Sequence, residues 1–170
     1  MNMNKSGYSL MILLVSFFLA GCEYEMPLVE EPQIEMDERL VGLWTHTDTH
    51  GRESSLVLVP LQPNELFVAY PEGAETTLYA RSTLWEKDDL RVVQLKWFGT
   101  SKGTVAEDHV VYQYGTYTLE GDTLTFRLIN PAVVPQNMDT RADLIEAMID
   151  NQDHPELLRS PMVFTRLSPN

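Results

Sequence analysis

From Leu40 onward, apolar and polar residues alternate with a period of two, and this alternation most constrains how the chain can fold. The clearest example is the segment 123–128, TLTFRL, in which every second residue is apolar. A period of two is typical of a strand with one buried and one solvated face. Segments 90–98 and 110–119 are rich in the β-branched and aromatic residues that favour strands. The sequence therefore predicts a mainly β fold.

Shorter runs of similar composition add strand candidates at residues 40–45, 54–59, 65–70, 77–85 and 162–167. Turn-forming residues separate several of these runs, at 60–64, 86–89 and 120–122. Each of these turn segments is short enough for a hairpin, which joins antiparallel strands. We expect about eight strands, mostly antiparallel, arranged as a barrel or a strongly curled sheet.

One helix is predicted within the strand series, at about residues 140–151. Thr140 can cap it, with Asp143 reaching back from the third helical position. Apolar residues then fall on one face of the helix: Leu144, Ile145, Met148 and Ile149. The helix should therefore cover an apolar surface just before the last strand.

The N-terminus has the pattern of a secretory signal peptide. Lys5 precedes a run at residues 10–19 in which Ser16 is the only polar residue, and small residues follow before Cys22. The run is much shorter than the roughly 20 apolar residues that a membrane-spanning helix needs. Residues 1–21 are therefore predicted to be a signal peptide. Because Cys22 is the single cysteine, no disulfide can form within the chain.

The sequence Leu19-Ala20-Gly21-Cys22 closely resembles the signal of bacterial lipoproteins, the lipobox. The resemblance implies that Cys22 starts the mature chain and carries a thioether-linked diacylglycerol, usually with a further N-acyl chain such as palmitate. Two or more fatty chains anchor a protein stably to a membrane. The alternative is a secreted protein with a chance cysteine at its cleavage site. By the same resemblance, Glu23 in place of aspartate favours the outer membrane, with the domain facing the periplasm.

Residues 23–38, EYEMPLVEEPQIEMDE, contain two prolines, seven acidic residues and no apolar periodicity. We interpret this stretch as a solvated tether, with a partner-binding acidic motif as the alternative. Extended at about 3.1 to 3.5 Å per residue, it could hold a domain up to about 50 Å from the lipid. The predicted organisation is a signal peptide at 1–21, the lipidated cysteine and tether at 22–38, and one β domain at 39–170.

The chain has a formal net charge of −13. Nucleic acids and anionic headgroups are bound by clustered Lys and Arg, so the acidic balance argues against both as partners. The length suffices for one packed core and is too small for two. The expected partners are the membrane, through the lipid anchor, and either a small apolar ligand or another envelope protein.

Gly42-Leu43-Trp44 opens the first predicted strand, and up-and-down strands, a late helix and a final strand follow it. This arrangement resembles the lipocalin pattern. In that pattern the Trp of Gly-x-Trp closes one end of the barrel against a basic residue near the end of the chain, and Arg166 is the matching candidate. The resemblance implies that the first and last strands are neighbours. It also implies that the guanidinium lies within about 6 Å of the indole ring.

Residues 85–167 are also similar to a widespread group of uncharacterised bacterial proteins. The shared stretches are 117–124, 143–149 and 155–166. This similarity implies a common fold but does not indicate any activity.

The sequence lacks the common catalytic and nucleotide-binding motifs, so we expect neither enzyme activity nor a cofactor. His46, Asp48 and His50 share one face if that stretch is extended, and imidazole with carboxylate suits Zn²⁺. An ordinary polar hairpin loop is the favoured interpretation of the same residues, and no metal site is predicted.

Four aromatic residues could line a cavity inside such a barrel: Trp97, Phe98, Tyr112 and Tyr114. A barrel of about eight strands is either filled by its side chains or holds one small ligand, and aromatic side chains more often fill a core. Two functions therefore stay open. The first is binding of a small apolar ligand in a hollow barrel, and the second is a structural or interaction role in an envelope assembly with a filled barrel.

Overall fold

The computed structural model describes residues 23–48, 50–72, 75–106 and 110–167. Within these ranges a short 3₁₀ turn, Glu38–Leu40, precedes the first strand. The strands are β1 (Gly42–Thr47), β2 (Glu53–Gln62), β3 (Glu65–Glu72), β4 (Thr76–Lys87), β5 (Leu90–Thr100), β6 (Gly103–Thr104), β7 (Val111–Glu120), β8 (Thr123–Leu128) and β9 (Met162–Arg166). One helix, α1 (Arg141–Asp150), lies between β8 and β9 in the chain.

Eight of the strands close into an antiparallel barrel. They are hydrogen-bonded in the order β4-β3-β2-β1-β9-β8-β7-β5, and pairing of β4 with β5 completes the ring. The two-residue strand β6, which the sequence did not predict, pairs with the end of β5. Closure leaves the eight strands without a free edge. The predicted mainly β fold, with an eight-stranded antiparallel barrel and one helix before the last strand, is confirmed.

The first and last strands are direct neighbours, as predicted. Trp44 pairs with Arg166 and Thr45 pairs with Thr165. Along β9, Phe164 is buried while Val163 is largely exposed. The alternation places Phe164 and Arg166 on the inner face of the barrel wall.

The turn between β2 and β3 is shorter than the predicted segment 60–64. β2 continues to Gln62, so that only Pro63 and Asn64 form the turn. Pro60 lies within the strand opposite Leu66, next to a shift in register. Proline lacks the N–H that a regular ladder uses, and an irregular position in the strand accommodates it.

Helix α1 packs against the outside of the barrel. Thr140 and Asp143 form the predicted capping box, in which each side chain bonds the backbone N–H of the other residue. Leu144 and Met148 are fully buried on the helix face that meets the barrel. Their neighbours form a second core outside the barrel, distinct from the core inside it: Tyr24, Leu28, Leu90, Val92, Tyr114, Ile129, Val134 and Leu157.

Residues 24–36, here called the strap, pack against the barrel: Tyr24 and Leu28 belong to the outer core, and Met36 belongs to the core inside the barrel. The interpretation of residues 23–38 as a solvated tether is therefore wrong for them. Tyr24 is 1% exposed, Leu28 is fully buried and Met36 is buried. The acidic residues between these buried positions are exposed to solvent. The buried positions follow no regular period, so the sequence pattern did not reveal them.

Hydrogen bonds hold the strap to the barrel wall. The Gln94 side chain accepts from the backbone N–H groups of Leu28 (2.7 Å) and Val29 (2.9 Å) and donates to the Val29 carbonyl (2.9 Å). Tyr24 exchanges backbone hydrogen bonds with Tyr112, each 2.8 Å long. The strap is therefore an integral part of the folded domain.

The predicted signal peptide and Cys22 lie outside the described residues. Within the described ranges, neither helical segment has the length and apolar character needed to cross a membrane.

Candidate functional site

One end of the barrel is closed by Trp44. Its side chain is fully buried, and the indole Nε1 donates to the Leu40 carbonyl at 2.8 Å. Leu40 ends the 3₁₀ turn that precedes β1, and it is buried as well. The Trp44 hydrogen bond therefore fixes both the ring and the turn that covers it.

Arg166 completes the closure from the last strand. Its guanidinium carbon lies 4.2 Å from the centroid of the Trp44 ring, closer than the limit of about 6 Å that defines a cation–π contact. The same group donates to the Val41 carbonyl at 2.8 Å and to the Arg39 carbonyl. Because two neutral carbonyls and an aromatic face solvate the cation, the group can be partly withdrawn from water.

Gly42 makes room for this arginine. A Cβ atom added at Gly42 would lie 2.8 Å from Arg166 Nη1, and the backbone φ of +146° is one that L side chains rarely adopt. Both conditions disfavour a larger residue. The glycine of Gly42-Leu43-Trp44 is thus explained by the arginine that passes over it.

The barrel is hollow beyond this closed end. Its interior holds a cavity of about 130 Å³ with an almost entirely apolar lining. The lining residues are Met36, Leu40, Leu56, Leu58, Leu66, Val68, Tyr70, Ser82, Val93, Leu95, Trp97, Gln113, Tyr117, Leu124, Phe126, Leu128, Met162 and Phe164. Several inward-facing side chains, among them Tyr70 and Trp97, are only half-buried, which is consistent with an incompletely filled interior.

Gln113 is the principal polar side chain of the cavity wall. It is 1% exposed, and its Oε1 accepts a hydrogen bond from Trp97 Nε1 at 3.0 Å. Ser82 is buried in the same wall. Sequence reasoning missed both residues, because polar and apolar side chains occur on both faces of β4 and β7 and do not identify the inner one.

Of the four aromatic residues proposed to line a cavity, Trp97 does so. Phe98 instead lies near Phe67, with ring centroids 6.3 Å apart, and Arg81 lies 5.9 Å from its centroid. Tyr112 and Tyr114 face the strap and the outer core, so for these three residues the expectation was wrong. Burial raises the pKa of Tyr114, whose hydroxyl donates to the Met26 carbonyl.

His46 lies within β1, whereas Asp48 and His50 lie between β1 and β2. Asp48 accepts hydrogen bonds from the backbone N–H groups of His50 (2.8 Å) and Arg52 (2.9 Å). The bond from the Arg52 backbone is the main cause that lowers the pKa of Asp48 to about 2. His46 Nδ1 is instead 2.7 Å from the Val163 carbonyl. In the described part of the chain, no group of three or more His, Cys, Asp or Glu residues is placed to hold a metal ion.

The outer wall of the barrel carries apolar side chains on β1, on β2 and directly after β9, here called the outer stripe: Leu43, Val57, Val59, Leu61 and Leu167. Leu43 pairs with Val57, and the backbone N–H of Leu167 donates to the Leu43 carbonyl at 2.9 Å. All except Val57 are more than a third exposed. The stripe is therefore a candidate contact surface.

The fold and the cavity define a small antiparallel β-barrel with an apolar interior and one end closed by an arginine–tryptophan pair. No protein-family profile matches the chain, and neither a curated protein nor a solved structure matches it significantly.

Proposed function

We propose that the domain binds a small, mainly apolar ligand inside the barrel. The cavity of about 130 Å³ carries this proposal. Protein interiors are normally packed with few voids larger than a water molecule, so an apolar space of this size requires an explanation. An engineered apolar cavity of about 150 Å³ stays dry and binds benzene, which sets the scale of a matching occupant.

The shape of the barrel supports the same function. The closed end is held by hydrogen bonds from Trp44 and Arg166 to backbone carbonyls, so the space beyond it does not depend on a plug of core side chains. Leu144 and Met148 of the helix, and Tyr24 and Leu28 of the strap, are buried on the outside of the wall, whereas Met36 at the end of the strap lines the cavity. The interior is therefore left to the inward-facing side chains and to a ligand.

A pair of identical substitutions tests this function. Val93 is buried in the cavity wall, whereas Val163 is on the outer surface. Isothermal titration calorimetry of the full chain with ethylbenzene should show saturable binding. Val93→Phe should weaken that binding by at least tenfold, because the added ring occupies the cavity, and Val163→Phe should leave it unchanged. Circular dichroism confirms that both variants are folded. Absence of binding to the parent chain, or equal binding by Val93→Phe, contradicts the proposal.

We further propose that the protein is an envelope lipoprotein anchored through Cys22, on the resemblance of residues 19–22 to a lipobox. Since Tyr24 is already packed against the barrel, a lipid on Cys22 would hold the domain close to the membrane, without a long spacer. Cys22→Ser should abolish membrane fractionation and cause uncleaved precursor to accumulate. If the variant still sediments with membranes after a high-salt wash, which removes electrostatic association, the anchor is refuted.

The outer stripe favours a second candidate function, contact with another envelope protein. Its exposed residues form a connected apolar surface that the domain itself does not cover. A photo-crosslinking residue at Val59 should give one discrete adduct in cells, and the same residue at Arg127, on the outer face of β8, should not. Equal labelling at both positions contradicts a specific contact.

A further inference from the structure

We infer that the ligand of the barrel carries an uncharged hydrogen-bond acceptor that pairs with the side-chain amide of Gln113. This inference rests on the proposed ligand-binding function and specifies the class of ligand. Gln113 lines the cavity and is 1% exposed. Among the described residues, its Nε2 is the one fully buried side-chain nitrogen or oxygen atom that has no hydrogen-bond partner.

Trp97 determines which end of the Gln113 amide is unpartnered. The indole Nε1 is a donor only, so the group 3.0 Å from it must be the Gln113 carbonyl oxygen. The amide nitrogen is therefore the other end of the carboxamide. A buried donor without an acceptor is costly, and a ligand that supplies the acceptor removes that cost.

The surroundings of Gln113 require that the acceptor be uncharged. Among the described lining residues there is no Lys, Arg, His, Asp or Glu. A carboxylate or phosphate inside this cavity would be buried without a counter-charge, which is strongly unfavourable. A ketone, ester, amide or ether oxygen satisfies the amide without that penalty.

The sheet register places the polar end of the ligand at one level of the cavity. Ser82 pairs with Leu95, and Leu95 pairs with Gln113. Ser82 and Gln113 therefore lie in one cross-strand row, and the other lining residues are aliphatic or aromatic. This distribution matches an apolar molecule with a single polar group.

Ethylbenzene and acetophenone provide a direct test, because they have the same shape and differ by a carbonyl in place of a CH₂ group. Replacing Gln113 alone would leave the Trp97 indole N–H as a new free donor. The comparison is therefore made between Trp97→Phe, which keeps the Gln113 amide, and the double variant Trp97→Phe/Gln113→Leu. Gln152 is exposed, and Gln152→Leu is the control for replacing a glutamine by leucine away from the cavity.

The measured quantity is the ratio of the two dissociation constants for each protein, obtained by calorimetry on the full chain. The two probes differ in the free energy of transfer from water, but this difference is the same for every protein variant. It therefore cancels when the ratios of dissociation constants are compared between variants. The preference for acetophenone should fall about threefold to tenfold in the double variant, the effect of one hydrogen bond. The fall is measured relative to Trp97→Phe, and the preference should be unchanged in Gln152→Leu.

The possible outcomes separate the two proposals. If the parent chain binds neither probe, the ligand-binding function itself fails. If both probes bind and the ratio is the same in all variants, the function stands and the role of Gln113 is overturned. Benzoate should bind more weakly than acetophenone at pH 7, and tighter binding of benzoate would overturn the uncharged acceptor.

A spectroscopic measurement keeps the test valid if the double variant does not fold. In the ¹⁵N-labelled parent chain, the side-chain N–H resonances of Gln113 should move downfield on addition of acetophenone and not on addition of ethylbenzene. Identical shifts with both probes would contradict the hydrogen bond.

Discussion

The contact between Trp44 and Arg166 should appear as a coupling free energy when both residues are replaced. We consider Trp44→Leu and Arg166→Met, which remove the aromatic face and the cation but keep apolar bulk. Each side chain also bonds the backbone at the closed end of the barrel, so each single substitution should destabilise the domain. The double variant should lose less stability than the sum of the single losses, because their mutual contact can be lost only once.

The expected magnitudes follow from the geometry. Arg166→Met removes charge-assisted hydrogen bonds to two carbonyls and should cost about 2 to 4 kcal/mol. Trp44→Leu leaves a void at a fully buried site and should cost about 2 to 4 kcal/mol. The Arg166 side chain is 24% exposed and 4.2 Å from the ring, so the coupling should be about 1 to 2 kcal/mol. The ion pair with Asp122, whose side chain is 70% exposed, should contribute little.

Urea unfolding of the parent chain, both single variants and the double variant measures the coupling. Arg81→Met combined with Trp44→Leu is the matched control, since Arg81 lies over a different ring, Phe98, on the outside of the barrel. That pair should be additive within about 0.5 kcal/mol. Additivity of the Trp44 and Arg166 substitutions within the same margin would refute the argument that the two residues form one closing unit.

Three further outcomes are expected. Gly42→Ala should destabilise the domain by about 1 to 3 kcal/mol in urea unfolding, because the added Cβ meets Arg166 Nη1 at 2.8 Å on a backbone with positive φ. Gln94→Leu should increase amide hydrogen exchange throughout the strap and cost about 2 to 4 kcal/mol, since it removes three bonds to the strap backbone. Burial raises the pKa of Tyr114 in the folded state, so stability should fall as the pH rises above about 10, where the unfolded tyrosine ionises. Tyr114→Phe should reduce that slope by up to about 1.4 kcal/mol per pH unit, and an unchanged slope would contradict the assignment.

The barrel could be predicted from the sequence because its signals are local and repeated. The alternation in 123–128 and the capping residues Thr140 and Asp143 each specify their own element. The closure between β1 and β9 is not local, and it was anticipated only because Gly42-Leu43-Trp44 and Arg166 together resemble a known pattern. Here a specific pair of residues carried information that periodicity does not contain.

The strap and the cavity could not be predicted in the same way. The strap is held by isolated anchors such as Tyr24 and Leu28 among acidic residues, and by Gln94 on a distant strand. Gln94 and Gln113 are both buried polar residues in β strands, yet one faces the strap and the other faces the cavity. Which face of the sheet a residue occupies depends on the curvature and register of the closed sheet. These two properties cannot be read from a single sequence.

The two buried glutamines also show why the Gln113 amide points to a ligand. Gln94 satisfies both ends of its carboxamide, by accepting from two strap N–H groups and donating to a strap carbonyl. Gln113 satisfies only its carbonyl, through Trp97, although the same sheet buries it as completely. Outside the barrel, backbone groups of the chain itself fill the role of partner. Inside the barrel, a molecule with an acceptor oxygen would fill it.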